Sequence, residues 1–364
     1  MSSFTLKNLK ELFDKYESHL SSATLVLGFI FDFLTLKRVD YIWDNVLIML
    51  YLVVAGASIL IINLYESGKF RNKFTSSVHE FLPFTLQFAF GGLFSAFTIF
   101  YSKSSSFVSS GMFVTLLFLL MVGNEFFKKR YQKLAFQLGI YFMAIFSFSI
   151  YFLPVLIKRM GVDIFIWSGG LSLVFISSFV LLIAWLAPLR YKESYKYIFL
   201  TIGAIWVSVN ALYFLNIIPP IPLSLKTSNV YHGITKLPQG GYQVTGEPEN
   251  WVEKLKINKK IHLDKGEGVY VFSSVFAPAD LNIKIVHNWQ YFDSSTSEWV
   301  SASRISFPIA GGRAQGYRGF SKKENIFPGA WRVDVETERG QVIGRIRFDI
   351  EIGDFIPQFE TKNI

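Results

Sequence analysis

Between residues 287 and 332 the chain collects side chains suited to holding an anion against a flat surface: His287, Trp289, Tyr317, Arg318, Trp331 and Arg332. Indole and phenol rings offer platforms, with Tyr291 and Trp299 beside them. A guanidinium grips a carboxylate or phosphate through two parallel N–H bonds. Such a set suits an anionic glycan, a peptidoglycan fragment or a lipid headgroup. A plainer reading competes with it. In Trp331-Arg332-Val333-Asp334-Val335, strict alternation puts Trp331, Val333 and Val335 on one strand face and Arg332 and Asp334 on the other. Trp331 then belongs to a core, and Arg332 is solvated or paired across strands with an acid such as Asp349. His287 shares a face with Trp289 and Tyr291 and reads as a partly buried, hydrogen-bonded histidine.

A second set lies inside apolar runs: Asp32, Gln87, Gln137 and Asn210, with Asn63, Asn124 and Glu125. Polar groups at membrane depth are costly and mark ion or proton paths. Asp32 precedes Lys37, Arg38 and Asp40 by a few residues, so its simpler reading is an interfacial carboxylate paired with Lys37 or Arg38. Asn124 and Glu125 adjoin Lys128, Lys129 and Arg130 and read as interfacial. The two similar halves with broken helices that mark many transporters are not evident.

Enzyme signatures are missing. The five histidines lack metal-ligand spacing, and zero cysteines exclude disulfides, thiol catalysis and Cys-based metal sites. No HExxH, Walker A or nucleophile-elbow pattern occurs. Gly311-Gly312-Arg313 and Gly316 sit between strand-like runs, whereas a phosphate cradle would need a helix after the glycines. The expectation is no catalytic residue, no metal and no cofactor.

The elements that must position these residues fall into two halves. Residues 1–22 read as an amphipathic helix lying at a membrane interface. Residues 23–217 hold seven apolar segments, roughly 22–36, 44–65, 81–101, 106–126, 134–157, 163–187 and 197–217, most of them long enough to cross a bilayer. Gly91, Gly92, Ser95 and Ala96 supply a small-residue face for close helix packing. Residues 218–226 form a junction in which Pro219, Pro220 and Pro222 predict an extended, semi-rigid spacer. Residues 227–364 switch to a period of two, with turn signals such as Pro238-Gln239-Gly240-Gly241 and Pro328-Gly329. About eight strands at this spacing predict an antiparallel β-sandwich of immunoglobulin or fibronectin-like type.

Of the net charge of +9, the part up to residue 223 holds +7, with 18 Lys+Arg against 11 Asp+Glu. The excess therefore sits in short loops, where it sets topology, and not on a nucleic-acid surface. With the N-terminus inside, Lys7, Lys10, Lys15, Lys69, Arg71, Lys73, Lys128, Lys129, Arg130, Lys133, Arg190, Lys192 and Lys196 are inside, and Lys37, Arg38, Lys103, Lys158 and Arg159 outside. The asymmetry predicts a cytoplasmic N-terminus and, after seven spans, a C-terminal domain on the far side of the membrane, which in a bacterium is the periplasm or the cell exterior.

His287-Asn288-Trp289, Tyr317-Arg318-Gly319-Phe320-Ser321, Gly329-Ala330-Trp331-Arg332-Val333 and Gly340-Gln341-Val342-Ile343-Gly344 closing on Phe348 resemble the bacterial domain of unknown function 2914 over roughly residues 260–353. The membrane half resembles multi-span regions found in front of that domain, through Gly28 to Asp40 and the Pro-Pro-Ile-Pro-Leu junction. The resemblance implies a bacterial envelope protein and no particular activity.

The leading expectation is a helical bundle anchoring a periplasmic sandwich that binds a partner protein or an envelope glycan as an accessory module. Beyond the lipid bilayer, a homo-oligomer stays open as a further association. The alternative is a transporter, channel or signal transducer, with a watery cavity reaching Asp32, Gln87, Gln137 or Asn210. A membrane enzyme would instead need a polar cleft with two convergent titratable groups.

Overall fold

The computed structural model describes residues 28–36, 38–68, 73–104, 107–123, 133–248, 258–313, 315–353 and 358–364. The interfacial helix expected over 1–22 lies outside the described residues, as do Lys37, Asn124 and Glu125. The chain divides into two compact units, one made of most of the helical part up to Leu215, the other of Asn216–Ile364 together with the short stretches Lys103–Gly111 and Ile157–Met160.

Seven helices occur among the described residues of the helical part: α1 (28–35), α2 (Ile42–Glu66), α3 (Lys73–Lys103), α4 (Phe107–Gly123), α5 (Leu134–Ile157), α6 (Val162–Leu186) and α7 (Pro188–Phe214). They follow the seven apolar segments in order. Among the described residues five stretches are long and apolar enough to cross a membrane: Ile42–Glu66, Leu82–Lys103, Leu134–Ile157, Val162–Leu186 and Pro188–Phe214. The apolar stretch Gly111–Gly123 is shorter. Pro188 opens α7 at the first helical position, where its missing N–H leaves no bond unmade.

Phe90, Phe94, Phe97 and Phe100 recur at helical spacing and are fully buried, with Phe97 and Phe100 edge-on to Tyr151 of α5. The predicted small-residue face is where α3 meets α2: a Cβ on Gly92 would stand 2.7 Å from the Tyr51 ring. The outward faces of α6 and α7 present Leu181, Trp185 and Leu200, each about 70% exposed.

The proline-rich junction is a compact turn and not the extended spacer its sequence predicted. The Ile221 N–H donates to Pro219 O at 2.8 Å and the Leu223 N–H to Pro220 O at 3.0 Å. The physical reason is apolar burial: Ile218, Ile221 and Leu223 lie between and beside the prolines and are removed from water.

The second unit contains β1 (Ser224–Tyr231), β2 (Gly233–Lys236), β3 (Tyr242–Gly246), β4 (Asn258–Leu263), β5 (Val269–Phe276), β6 (Asn282–Asp293), β7 (Glu298–Ala310), β8 (Tyr317–Lys323), β9 (Gly329–Thr337), β10 (Val342–Ile352) and β11 (Glu360–Asn363). They make three sheets, ordered β1-β5-β8, β4-β10-β9-β6-β7 and β11-β3-β2. The pairing departs from an all-antiparallel sandwich at one place, since β4 runs parallel to β10.

The first two sheets share one core. Val230, Val271 and Val275 face Trp289, Val333, Val335 and Phe348. The third sheet covers the other side of the first, with Ile234 and Val244 against Phe272 and with Tyr242 edge-on to Phe320. The middle sheet is therefore buried on both faces, which is why β5 reads as a nearly continuous apolar run without alternation. Gly319 lets β7 and β8 approach, because a Cβ there would meet the Phe307 ring at 2.5 Å. Among the described residues neither of the other two sheets packs on the outer face of the five-stranded sheet, although Val286, Asn288, Gln290, Asp334 and Glu336 on it are buried.

Candidate functional site

Alternation along β6, β9 and β10 decides the fate of the polar residues. On the inner face, His287 is fully buried between sheets. Its Nε2 lies 2.8 Å from Ser273 Oγ on β5 and its Nδ1 2.8 Å from Ser321 Oγ on β8. The Trp289 Nε1–H donates to the same Ser321 oxygen at 2.9 Å. Burial pushes the imidazole down to about 3, so His287 stays neutral at ordinary pH. A histidine between two serines has the elements of nucleophilic chemistry, but this one is sealed in the core and ties the sheets together. Trp331 is also core, its Nε1–H donating to Phe327 O at 2.9 Å and its ring packed on Tyr291 and Phe327.

The outer face of the same sheet carries the candidate site. Strand register lines residues up in transverse rows. One runs Asn258, Arg347, Arg332, Gln290, Ser301 across β4, β10, β9, β6 and β7. The next runs Arg345, Asp334, Asn288, Arg304. In that second row the charges are consumed. Arg345 Nε and Nη2 donate to the two Asp334 oxygens at 2.5 and 2.7 Å, and Arg304 lies 2.7 Å from Glu336. Asp334 and Glu336 are each only 3% exposed although they sit on an outer face, because the arginines lie across them. Burial raises Glu336 above the usual carboxylate range, against the pull of Arg304.

The first row is different. Arg332 Nε donates to Gln290 Oε1 at 2.8 Å, and the guanidinium lies 4.4 Å from the Trp299 ring centroid. Trp299 is in turn packed on Phe292 with centroids 5.4 Å apart. Among the described residues nothing bonds the terminal nitrogens of Arg332, and no carboxylate pairs with Arg347 directly across the strand. Burial first, and then the neighbouring Arg345 and Arg347 charges, lower the Arg332 value. A guanidinium does not give up its proton at ordinary pH, so this arrangement can bind an anion and cannot act as an acid or base.

The structure does not assemble the sequence-derived set into one platform. Trp289, Trp331 and His287 are core. Tyr317 and Arg318 are half-buried on β8, in a different sheet from Arg332, with Arg313 over the Tyr317 ring at 5.3 Å and Arg318 O accepting from the Tyr242 hydroxyl at 3.2 Å. Of the six, Arg332 alone lies on the open face. Asp349 does not pair with it; its Oδ2 accepts from Asn258 Nδ2 at 3.0 Å.

In the helical unit, Asp32 Oδ2 accepts from the Ser95 hydroxyl at 2.6 Å, while Arg38 holds Asp40 through Nε at 2.9 Å and Nη2 at 2.6 Å. The expected pairing of Asp32 with Arg38 is thus replaced by a helix–helix contact to a serine, because the acid two residues beyond Arg38 is nearer to it. Gln137 is fully buried and accepts from Asn63 at 2.7 Å; Asn210 donates to Trp206 O at 2.8 Å on its own helix; Gln87 is half-buried on α3.

A second polar cluster was invisible in the sequence. His232, between β1 and β2, lies 3.0 Å from Glu267 and 3.2 Å from Glu247. Glu247 reaches the His262 ring at 3.0 Å and accepts from its backbone N–H at 2.7 Å. Burial alone would lower His232, but the bonds from Glu247 and Glu267 outweigh it and its value is raised. These residues come from separate strands and turns, so no local spacing announces them. Among the described residues no group of His, Cys, Asp and Glu has the geometry of a metal site. The cluster borders a cleft of about 450 Å³ lined by Tyr231, Lys259, His262 and Asp349. For Arg347 the alternation Ile346, Phe348, Ile350 is a signal that places it outward, but only the register sets it opposite Arg332.

Comparison with solved structures gives weak likenesses. One is a β-glucosidase from Listeria innocua in complex with gluconolactone, at 15% identity and TM-score 0.19, covering 36% of this chain and 16% of that one. Another is the alkylpurine DNA glycosylase AlkC of Pseudomonas fluorescens bound to DNA, at 10% identity and TM-score 0.21, covering 86% and 99%. Neither similarity carries weight for fold or function. The curated proteins give no match. Residues 282–350, which run from β6 into β10 and supply four of the five strands of the largest sheet, match the family model described as protein of unknown function (DUF2914).

Proposed function

We propose that the chain is an integral protein of a bacterial inner membrane whose helical unit anchors an extracytoplasmic β-sandwich, and that the sandwich binds an envelope glycan or protein complex as an accessory module. The carrying observation is the open, arginine-bearing outer face of the five-stranded sheet, on a chain with five helices long and apolar enough to span a membrane. Wide apolar exposure on α6 and α7 supports the lipid setting, since water does not tolerate such surfaces.

Charge supports the orientation. In the sequence, residues 69–73, 128–133 and 190–196, at the α2–α3, α4–α5 and α6–α7 ends, hold ten of the basic residues named above, and residues 37–38, 103 and 158–159, at the alternate ends, hold five. With α2–α7 all crossing, this count supports an extracytoplasmic β unit whether or not α1 crosses. Alkaline phosphatase fused after Ile364 should be active, and a fluorescent protein that matures only in the cytoplasm should be dark at the same position. The reverse pair overturns the orientation.

A second reading rests on Asp32, a carboxylate only 8% exposed that meets a serine and not a cation in the described residues. A helical unit that transports or signals would lose that activity on Asp32→Asn while binding by the β unit is unchanged.

A further inference from the structure

We propose that Arg332 and Arg347, with Gln290 and the Trp299–Phe292 pair, form a binding site for the carboxylates of an acidic glycan chain. This deepens the binding-module reading and rests on it. The argument begins with a contrast inside one sheet. Four arginines project from the outer face of β7, β9 and β10. Two are neutralised by dedicated acids, Arg345 by Asp334 and Arg304 by Glu336. The other two face each other across the strand pair and form no ion pair among the described residues, since Asp334, whose charge also acts on Arg332, is already held by Arg345. Like charges at directly opposed positions destabilise a sheet, so this arrangement calls for a counter-anion from elsewhere.

The geometry also presents the pair for capture. Gln290 takes the Nε of Arg332, and Trp299 takes one face of the guanidinium. Both contacts fix the fork while leaving its terminal nitrogens unclaimed, so little rotamer freedom is lost when a ligand binds. Each guanidinium matches a planar carboxylate, and with Arg332 leaning across β6 towards Trp299 on β7 and Arg347 on β10 the two offer separate anchor points for successive acidic sugars. The neighbouring Phe292, 38% exposed and packed on Trp299, gives an apolar ring beside the charges. A sugar ring presents apolar C–H faces alongside its carboxylate and uses both features; a free phosphate uses only the arginines. The face is an open sheet and not a closed pocket, which suits an extended chain.

The test uses the full-length protein in nanodiscs, titrated with oligogalacturonate, with a neutral maltooligosaccharide of equal length and with inorganic phosphate. Oligogalacturonate should bind in a salt-sensitive way. Its affinity should fall about tenfold or more in R332Q/R347Q, given the strength of charge-assisted bonds. R332K/R347K should recover part of it, because charge returns without the planar fork. Cooperative unfolding of the variants shows that the sheet is intact. Equal binding of the neutral sugar, or of phosphate, overturns the acidic-glycan assignment. Wild-type binding that survives R332Q/R347Q overturns this site and leaves the binding-module reading standing. A wild-type chain that holds none of the three probes overturns the site, while that reading is then judged by the fusion experiment and by partner capture.

Discussion

The two faces of the five-stranded sheet are built from the same strands, one residue out of phase, and they end in opposite states. The inner face takes Trp289, Trp331 and His287, and each of their polar atoms finds a protein partner. The outer face takes Asn288, Gln290, Arg332, Asp334, Arg345 and Arg347 and leaves two guanidiniums outside any ion pair among the described residues. Parity along a strand, and not residue type, separates scaffold from site. Tryptophans and a histidine that look like ligand platforms are the fasteners, and the less conspicuous arginines carry the open valence.

The largest effect that would sharpen this contrast is on the inner face. Trp289→Ala should destabilise the β unit by about 3–5 kcal/mol, read from denaturant unfolding of the full chain. A loss below 1 kcal/mol would mean that Trp289 is not core. Next comes pH. An unfolded histidine takes a proton near 6.5, but folded His287 does so only at about 3. Stability is therefore lost as pH falls from 6.5 towards 3, by up to about 1.4 kcal/mol per unit. His232 works in the opposite sense: its folded value is raised, so its contribution is present below 6.5 and lost as pH rises through the folded value. Melting temperature against pH should flatten on its acid side in His287→Gln and on its near-neutral side in His232→Gln.

On the outer face, Asp334→Asn should cost about 2–4 kcal/mol, because it leaves the largely buried Arg345 without its bidentate partner. Arg332→Gln should cost about 1 kcal/mol, the size of the Gln290 bond and the Trp299 stacking it gives up, and clearly less than the loss at Asp334. A large loss there would turn Arg332 into scaffold and erase the distinction between the two arginine classes.

Much of this was legible in residues 224–364 and 28–217 taken singly. The seven apolar runs became seven helices, and alternation in Trp331-Arg332-Val333-Asp334-Val335 assigned its faces as they stand. What failed was non-local. Nothing near Arg332 in sequence says that Arg347 is its cross-strand neighbour or that Asp334 is taken by Arg345, because those facts live in the β9–β10 register. The His232–Glu247–His262 chain needs three separate strands and turns to meet. The junction misled because three prolines outweighed Ile218, Ile221 and Leu223, whose burial decides the conformation.

The absence of cysteine permits one direct test of the central claim. Ser301 is exposed on the outer face of the five-stranded sheet, and Ser273 is fully buried on the inner side. Single Ser301→Cys and Ser273→Cys chains would be treated with a membrane-impermeant maleimide on intact cells with the outer membrane opened. The account predicts prompt labelling at 301 and none at 273 until denaturant is added. Equal labelling at both positions contradicts the division between the two faces, and labelling at 301 only after the inner membrane is breached contradicts the placement of the β unit.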